Sequence, residues 1–481
     1  MIEQLDPKGL WINFSKLNAV PRPSKKEERV IEFMMHFGNS LGLATIKDAI
    51  GNVIIKKPAS PGMKNAKTVI MQSHLDMVHQ KNNDTEFDFL NQGIEMVIDN
   101  DWVKAKGTTL GADNGIGVAA IMAVLESKDI VHPAIEALFT IDEETGMTGA
   151  MELDGSLFDG QILLNLDTED DDELSIGCAG GIDTNTSVQL KTEDINPGSS
   201  IVRIEIKGLL GGHSGMDIDK GRGNANKLMN RILYELSSLM NYQLLSIDGG
   251  SLRNAIPRES ITEIAVRDIS EFNSHFVRIA EEIKTEYKFV EAEMVLQTSE
   301  SAEFRANALT QLDRDKLIQA VYSVHNGVFR MSPDIEGLVE ASSSLARVVL
   351  KDGLFETQSL QRSSVETSKR DVANTVAAPF RALGADVVQN GDYPGWQPNP
   401  NSEILQLMEK LYREKFNEEP NVKACHAGLE CGILLKHLPG VDMISFGPNI
   451  RAAHSPDEKV QISSVQKFWD YLMSVLQKIP A

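Results

Sequence analysis

VIMQSHLD, residues 69–76, runs a strand-like apolar stretch straight into a histidine and, two residues later, into a carboxylate. Four further segments share the layout of an apolar run followed closely by a ligand-type side chain. They are GTTLGADNG (107–115), LFTIDEETG (138–146), ILLNLDTED (162–170) and MISFGPNIRAAHSPDE (443–458). In the first of these the acid, Asp113, stands just before a helix pattern. Ligands of open α/β sheets bind at the carboxyl ends of the strands. The layout therefore predicts one crevice that gathers His74, Asp76, Asp113, Glu143, Glu144, Asp167 and His454. Each segment alone is weak evidence, because a histidine after a strand is often only a hydrogen-bonded surface residue. Five in this order are hard to assign to chance.

Working outward, residues 1–180 alternate short β-rich runs with helical patterns, which predicts an α/β domain with a mostly parallel sheet. GVAAIMAVL (117–125) reads as a buried helix, and 134–141 and 161–166 as buried strands. The character changes near 181. Val202, Ile204 and Ile206 alternate with Arg203, Glu205 and Lys207, as in a strand with one wet face. Helix patterns follow at about 313–325 and 365–382. After YPGWQPNPNS (393–402), a helix pattern over 404–416 and the apolar run 441–446 resume the first style. The expected organisation is a discontinuous catalytic domain, 1–180 and 394–481, interrupted by an inserted α+β lid domain, 181–393. At 481 residues the chain exceeds what one core supports, which agrees with two domains.

Composition narrows the function. With 47 basic against 69 acidic residues the net charge is −22, which disfavours a nucleic-acid partner. No apolar run approaches the roughly 20 residues that cross a bilayer, so no membrane role is expected. The start MIEQLDPKGL has neither a basic nor an apolar signal region. Three cysteines without a C-x-x-C pair fit a reducing, cytoplasmic setting. Cys431 has no obvious paired base and reads as a small buried residue. There is no H-E-x-x-H helix, no G-x-S-x-G elbow and no phosphate loop.

Two histidines and three carboxylates suit two adjacent divalent cations if one carboxylate bridges them. Glu143 and Glu144 are neighbours and point in different directions. One can ligate metal while the other faces an attacking water as general base. Asp76 can accept the second ring N–H of His74 and so fix its orientation.

The order H-x-D, G-A-D-N-G, E-E followed by G, N-L-D and A-H-S-P-D-E resembles the di-zinc peptidases related to carboxypeptidase G and carnosinase. GTTLGADNGIG, IDEETGMTGA, GLLGGHSGMDI, RNAIPRE, YPGWQPNPNS, HAGLECG and FGPNIRAAHSPDE are similar to one branch of them, the aminoacyl-histidine dipeptidases. The resemblance implies that Asp113 bridges two metal ions. Glu144 and His454 would complete one ion, and His74 and Asp167 the other. Glu143 becomes the general base and Asp76 the supporting carboxylate, with a cis peptide between Asp113 and Asn114. The ions are expected to be zinc, with manganese or cobalt as alternatives.

In the insertion, the glycine-flanked His213 can approach a substrate and donate to a developing oxyanion. Arg362 is the favoured partner for the free carboxylate of a dipeptide, with Asn254 as its polar companion. The insertion is large enough for His213 to act within its own chain or across a homodimer formed through the lid. The expected activity is hydrolysis of small dipeptides with broad specificity, including Xaa-His substrates such as carnosine. An N-acyl-amino-acid amidohydrolase on the same scaffold, or an inactive binding protein that keeps the fold, are the alternatives.

Overall fold

The strand Val69–His74 is buried at every residue, as in a sheet covered on both faces. A computed structural model describes residues 2–82, 84–301 and 307–481 of the chain. This strand pairs in parallel with Ile135–Thr140 on one side and Ile162–Asn165 on the other, and Asp442–Ser445 joins the latter in parallel. Those strands form the centre of an eight-stranded sheet. The parallel part expected from the sequence is this centre. The flanking strands Ala44–Lys47, Val53–Lys57 and Glu173–Cys178 pair antiparallel, so the sheet is mixed. The helix Ala112–Glu126 is buried almost throughout, because its sequence has no polar stripe to turn toward water.

The chain divides into two compact units. The first takes in the chain up to Gly177, Trp396–Ala424 and Leu429–Ala481. The second is Cys178–Gly395 together with Cys425–Gly428. This short segment was not expected in the second unit. It belongs there because Ala179 N–H donates to the carbonyls of both Cys425 and Ala427, at 3.0 Å each.

The second unit is built on a nine-stranded sheet. Ser200–Lys207 pairs antiparallel with Ser260–Val266, and Leu354–Ser363 with both Val339–Lys351 and Gly180–Gln189. Val202, Ile204 and Ile206 are buried and share a core with helix residues Ile232, Phe272, Ile279 and Phe380. Their neighbours Arg203, Glu205 and Lys207 stay partly exposed. The helices Gln311–Ser323 and Glu366–Leu383 occupy the two stretches read as helical. Arg362 lies inside the strand Leu354–Ser363.

Candidate metal centre

His74 ends its strand with the ring almost wholly buried. Its Nε2 lies 3.1 Å from Asp113 Oδ1 and 3.5 Å from Asp167 Oδ1. The other oxygen of Asp113 lies 3.1 Å from His454 Nε2, which is also 3.0 Å from Glu144 Oε2. One carboxylate thus presents its two oxygens to two different imidazoles. Asp167 flanks the first and Glu144 the second.

Local structure explains this convergence. Asp113 and Asn114 have non-helical backbone angles at the start of the helix Ala112–Glu126, and the peptide between them is cis. Asn114 Nδ2 donates to Leu166 O at 2.6 Å, which ties this start to the residue before Asp167. The Glu143–Glu144 pair sits in a turn after the strand Ile135–Thr140, entered through Asp142 at φ 56°. His454 itself has φ 63°. A left-handed backbone at non-glycine residues costs about 1–3 kcal/mol each and persists where its surroundings enforce it.

Asp76 does more than the sequence suggested. His74 Nδ1 is 3.2 Å from the Asp76 backbone carbonyl and 3.4 Å from its carboxylate. The carboxylate also accepts the backbone N–H of Glu143 at 3.0 Å and of Glu144 at 3.3 Å. It therefore holds the histidine and the glutamate pair in one frame.

The electrostatics are those of crowded carboxylates. Burial pushes Glu143, Glu144 and Asp167 above their usual range. Burial would raise Asp113 too, but hydrogen bonds from His454 and His74 outweigh it and hold the group low. Its bonds to Asp113 and then Glu144 push His454 up to about 11. Glu144 Oε1 and Asp167 Oδ1 are buried without a hydrogen-bond partner. Unpartnered buried carboxylate oxygens are costly, and divalent cations satisfy them. His74, Asp113 and Glu144 each bring a ligand atom within 4.8 Å of the others. The residues present therefore fit a metal pair.

The second unit brings two of its three candidates together. His213 Nδ1 accepts the backbone N–H groups of Gly215 and Met216 at 3.2 and 3.0 Å. The neutral ring must then carry its proton on Nε2. That nitrogen lies 3.3 Å from Arg362 Nη2, so with this tautomer two donors stand side by side. Arg362 is buried; Nη1 donates to Tyr393 Oη at 2.9 Å, and Nε has no partner. Asn254 is exposed and joins through its backbone, its carbonyl accepting Ser214 N–H at 2.8 Å.

Several residues around these sites escaped sequence reasoning. Glu430 is buried, with Oε2 accepting from Gln72 Nε2 at 2.6 Å and Thr140 Oγ1 at 2.8 Å, and burial raises it to about 7. Buried Arg22 and Glu458 bond to the backbone beside Asp113. In the second unit, buried His426 Nε2 lies 2.7 Å from Ser342 Oγ. The signal in each case was a polar residue inside an otherwise readable motif, as in HAGLECG and AHSPDE, and the partner lay far away in sequence.

Residues 70–478 match a family model described as peptidase family M20/M25/M40. The cytosol non-specific dipeptidase of Escherichia coli (strain K12) is 42% identical over 482 aligned residues, spanning 100% of this chain and 99% of that protein. The aminoacylhistidine dipeptidase of Vibrio alginolyticus superposes with a TM-score of 0.94 at 42% identity, covering 100% of this chain and 98% of that one. The aminopeptidase PepT of Bacillus cereus shares the fold at 15% identity, with a TM-score of 0.58 and coverage of 99% and 100%.

Two histidines of the second unit, His213 and His426, are disfavoured as cations. Burial, and next the Arg362 charge, lower His213 to about 4 and His426 to about 3. The unfolded chain takes up these protons near 6.5, so acidification through the window from about 6.5 to 4 favours unfolding. Nitrogen NMR of histidine-labelled protein should show His213 neutral at pH 7 with the proton on Nε2, and still neutral at pH 5. A midpoint near 6.5 would contradict the geometry.

Proposed function

The chain belongs to peptidase family M20/M25/M40 and is a metal-dependent peptide hydrolase; from that premise we propose that it cleaves dipeptides with broad specificity, Xaa-His substrates such as carnosine included. The observation that carries the reading is Asp113, whose two oxygens each meet a different histidine within 3.1 Å. The near-complete match to two proteins named as dipeptidases supports the substrate class. The Escherichia coli relative is named for the cytosol, and the same location is proposed here.

His74 and Asp167 would hold one ion, Glu144 and His454 the other, with Asp113 shared between them. A divalent pair there supplies Lewis acidity toward the scissile carbonyl and makes water easier to deprotonate. Zinc suits this imidazole and carboxylate set, and manganese and cobalt accept it too. Glu143 takes the proton of the attacking water and returns it to the leaving amine. Asp76 keeps Glu143 and Glu144 apart in role by holding both backbone N–H groups. The lid role of the second unit is part of the same proposal. His213 Nε2–H donates to the carbonyl oxygen as it gains charge. Arg362 pairs with the substrate's terminal carboxylate, and Asn254 accepts through its carbonyl from Ser214, the residue after His213.

Chelation should abolish turnover of a dipeptide such as carnosine, and zinc, manganese or cobalt should restore it. Acetylating the substrate amine should remove activity, whereas an N-acyl-amino-acid amidohydrolase would keep it. Glu143→Gln should retain metal but lose about 10²–10⁴-fold in kcat. Normal turnover in that variant would move the base to another residue.

His213 and Arg362 should separate kinetically. His213 meets charge that exists only in the transition state, so His213→Ala should lower kcat more than it raises KM. Arg362 meets a carboxylate charged throughout, so Arg362→Ala should chiefly raise KM. Near-normal constants for both would place the substrate contacts on other residues.

A further inference from the structure

Glu458 lies four residues beyond His454 and is buried, with only 2% of its surface exposed. Its Oε2 accepts the N–H groups of Leu110 at 2.7 Å and Gly111 at 2.9 Å. Its Oε1 accepts those of Ala112 at 2.7 Å and Asp113 at 3.2 Å. One side chain thus takes four consecutive backbone donors at the start of the helix Ala112–Glu126, where a carboxylate is favoured by the helix dipole. With both oxygens engaged in this way, it is not placed to serve as a metal ligand.

The same turn is gripped from its other side by Arg22. Nη2 donates to Gly111 O at 2.6 Å, and Nη1 donates to Leu75 O at 3.0 Å and Asp76 O at 3.1 Å. A Cβ at position 111 would lie 2.5 Å from that guanidinium, and φ there is +70°, so only glycine fits the grip. Two buried charges of opposite sign therefore link three ligand-bearing segments through backbone groups. Arg22 joins the His74–Asp76 segment to the Asp113 turn, and Glu458 joins that turn to the His454 loop. The loop needs such an anchor, since Ala452 at φ 54° and His454 at φ 63° both hold left-handed backbone. Ser455 Oγ closes the loop on Ala452 O at 2.8 Å, and Glu458 N–H donates to Ser455 O at 3.0 Å.

We propose that Glu458 is a positioning residue for the metal pair, which sets the spacing of Asp113 and His454 by holding the Leu110–Asp113 backbone from the His454 loop. Arg22 does the same for Asp113 and the His74 segment. The inference rests on the metal-centre reading above, because it assigns these two residues a purpose only if Asp113 and His454 share an ion.

The test uses the full-length protein and three measurements: metal stoichiometry and affinity by chelator competition, the absorption spectrum with cobalt(II), and the thermal midpoint with and without zinc. In Glu458→Gln the dissociation constant of the weaker ion should rise about 10–100-fold, the usual cost of losing an outer residue that orients ligands. The cobalt spectrum should change, and the gain in thermal midpoint on adding zinc at fixed concentration should shrink. A merely structural glutamate would lower the metal-free midpoint while leaving affinity, spectrum and zinc gain as in the parent, and that result would overturn the proposal. If Glu458→Gln does not fold, Glu458→Asp keeps the charge on a side chain one methylene shorter and is read by the same criteria. Failure of the underlying reading looks different: the unsubstituted protein would then bind no ion pair at all.

Discussion

Everything at the centre follows from crowding several carboxylates into a largely buried site. Asp76, Asp113, Glu143, Glu144 and Asp167 are each largely or wholly buried and lie within reach of two imidazoles. Two like charges about 4 Å apart repel by about 4 kcal/mol at a protein-like effective dielectric. Backbone donors relieve Asp76, and the two histidines relieve Asp113. Glu144 Oε1 and Asp167 Oδ1 have no such relief. Positive charge among these oxygens would relieve that repulsion, which couples cation binding to the local electrostatics. It also explains why the neighbouring backbone is so heavily tied down, since without those ties the carboxylates would spread apart.

The ties are hydrogen bonds to buried carboxylates rather than apolar packing. Asp142 and Met147 around the glutamate pair, and Ala452 and His454 in the last loop, all hold left-handed backbone without being glycine. Conformations of this kind survive where neighbours over-determine them. Here the neighbours are the Thr145 and Thr148 hydroxyls on Asp142, Asp76 beneath the two glutamate N–H groups, and Glu458 at the Asp113 turn. Strained loops held between rigid strand ends place ligands to a fraction of an ångström, which a flexible loop cannot do.

The sequence disclosed what has a short-range signature. Apolar strands ending in histidine or carboxylate marked the residues that converge on Asp113, and alternation at Val202, Ile204 and Ile206 marked the wet-faced sheet. What it hid depends on distance. Glu458 contacts Asp113 across 345 residues and Glu430 contacts Gln72 across 358, and no periodicity encodes such pairs. The antiparallel flanks of the sheet escaped because Ala44–Lys47 and Val53–Lys57 are short, and the first has no buried residue. The segment Cys425–Gly428 escaped because membership in a unit is set by two backbone bonds to Ala179 and not by composition. Asp76 was legible as a partner of His74 but not as the clamp on Glu143 and Glu144, since a carboxylate accepting backbone N–H leaves no residue pattern.

The second unit places two chemically different donors side by side, 3.3 Å apart. Arg362 is a permanent cation, and its planar fork suits an anion that is present before, during and after reaction. His213 is held neutral by burial and the adjacent guanidinium, and its tautomer is fixed by two backbone N–H groups on Nδ1. A neutral donor binds a neutral carbonyl weakly and a developing oxyanion far better, because hydrogen bonds to charged acceptors are roughly twice as strong. With its proton on Nε2 the ring cannot accept from the guanidinium, and the adjacent charge disfavours a second cation there. Burial and then the Arg362 charge together keep His213 a neutral donor beside a permanent cation, the combination on which the proposed division of roles rests.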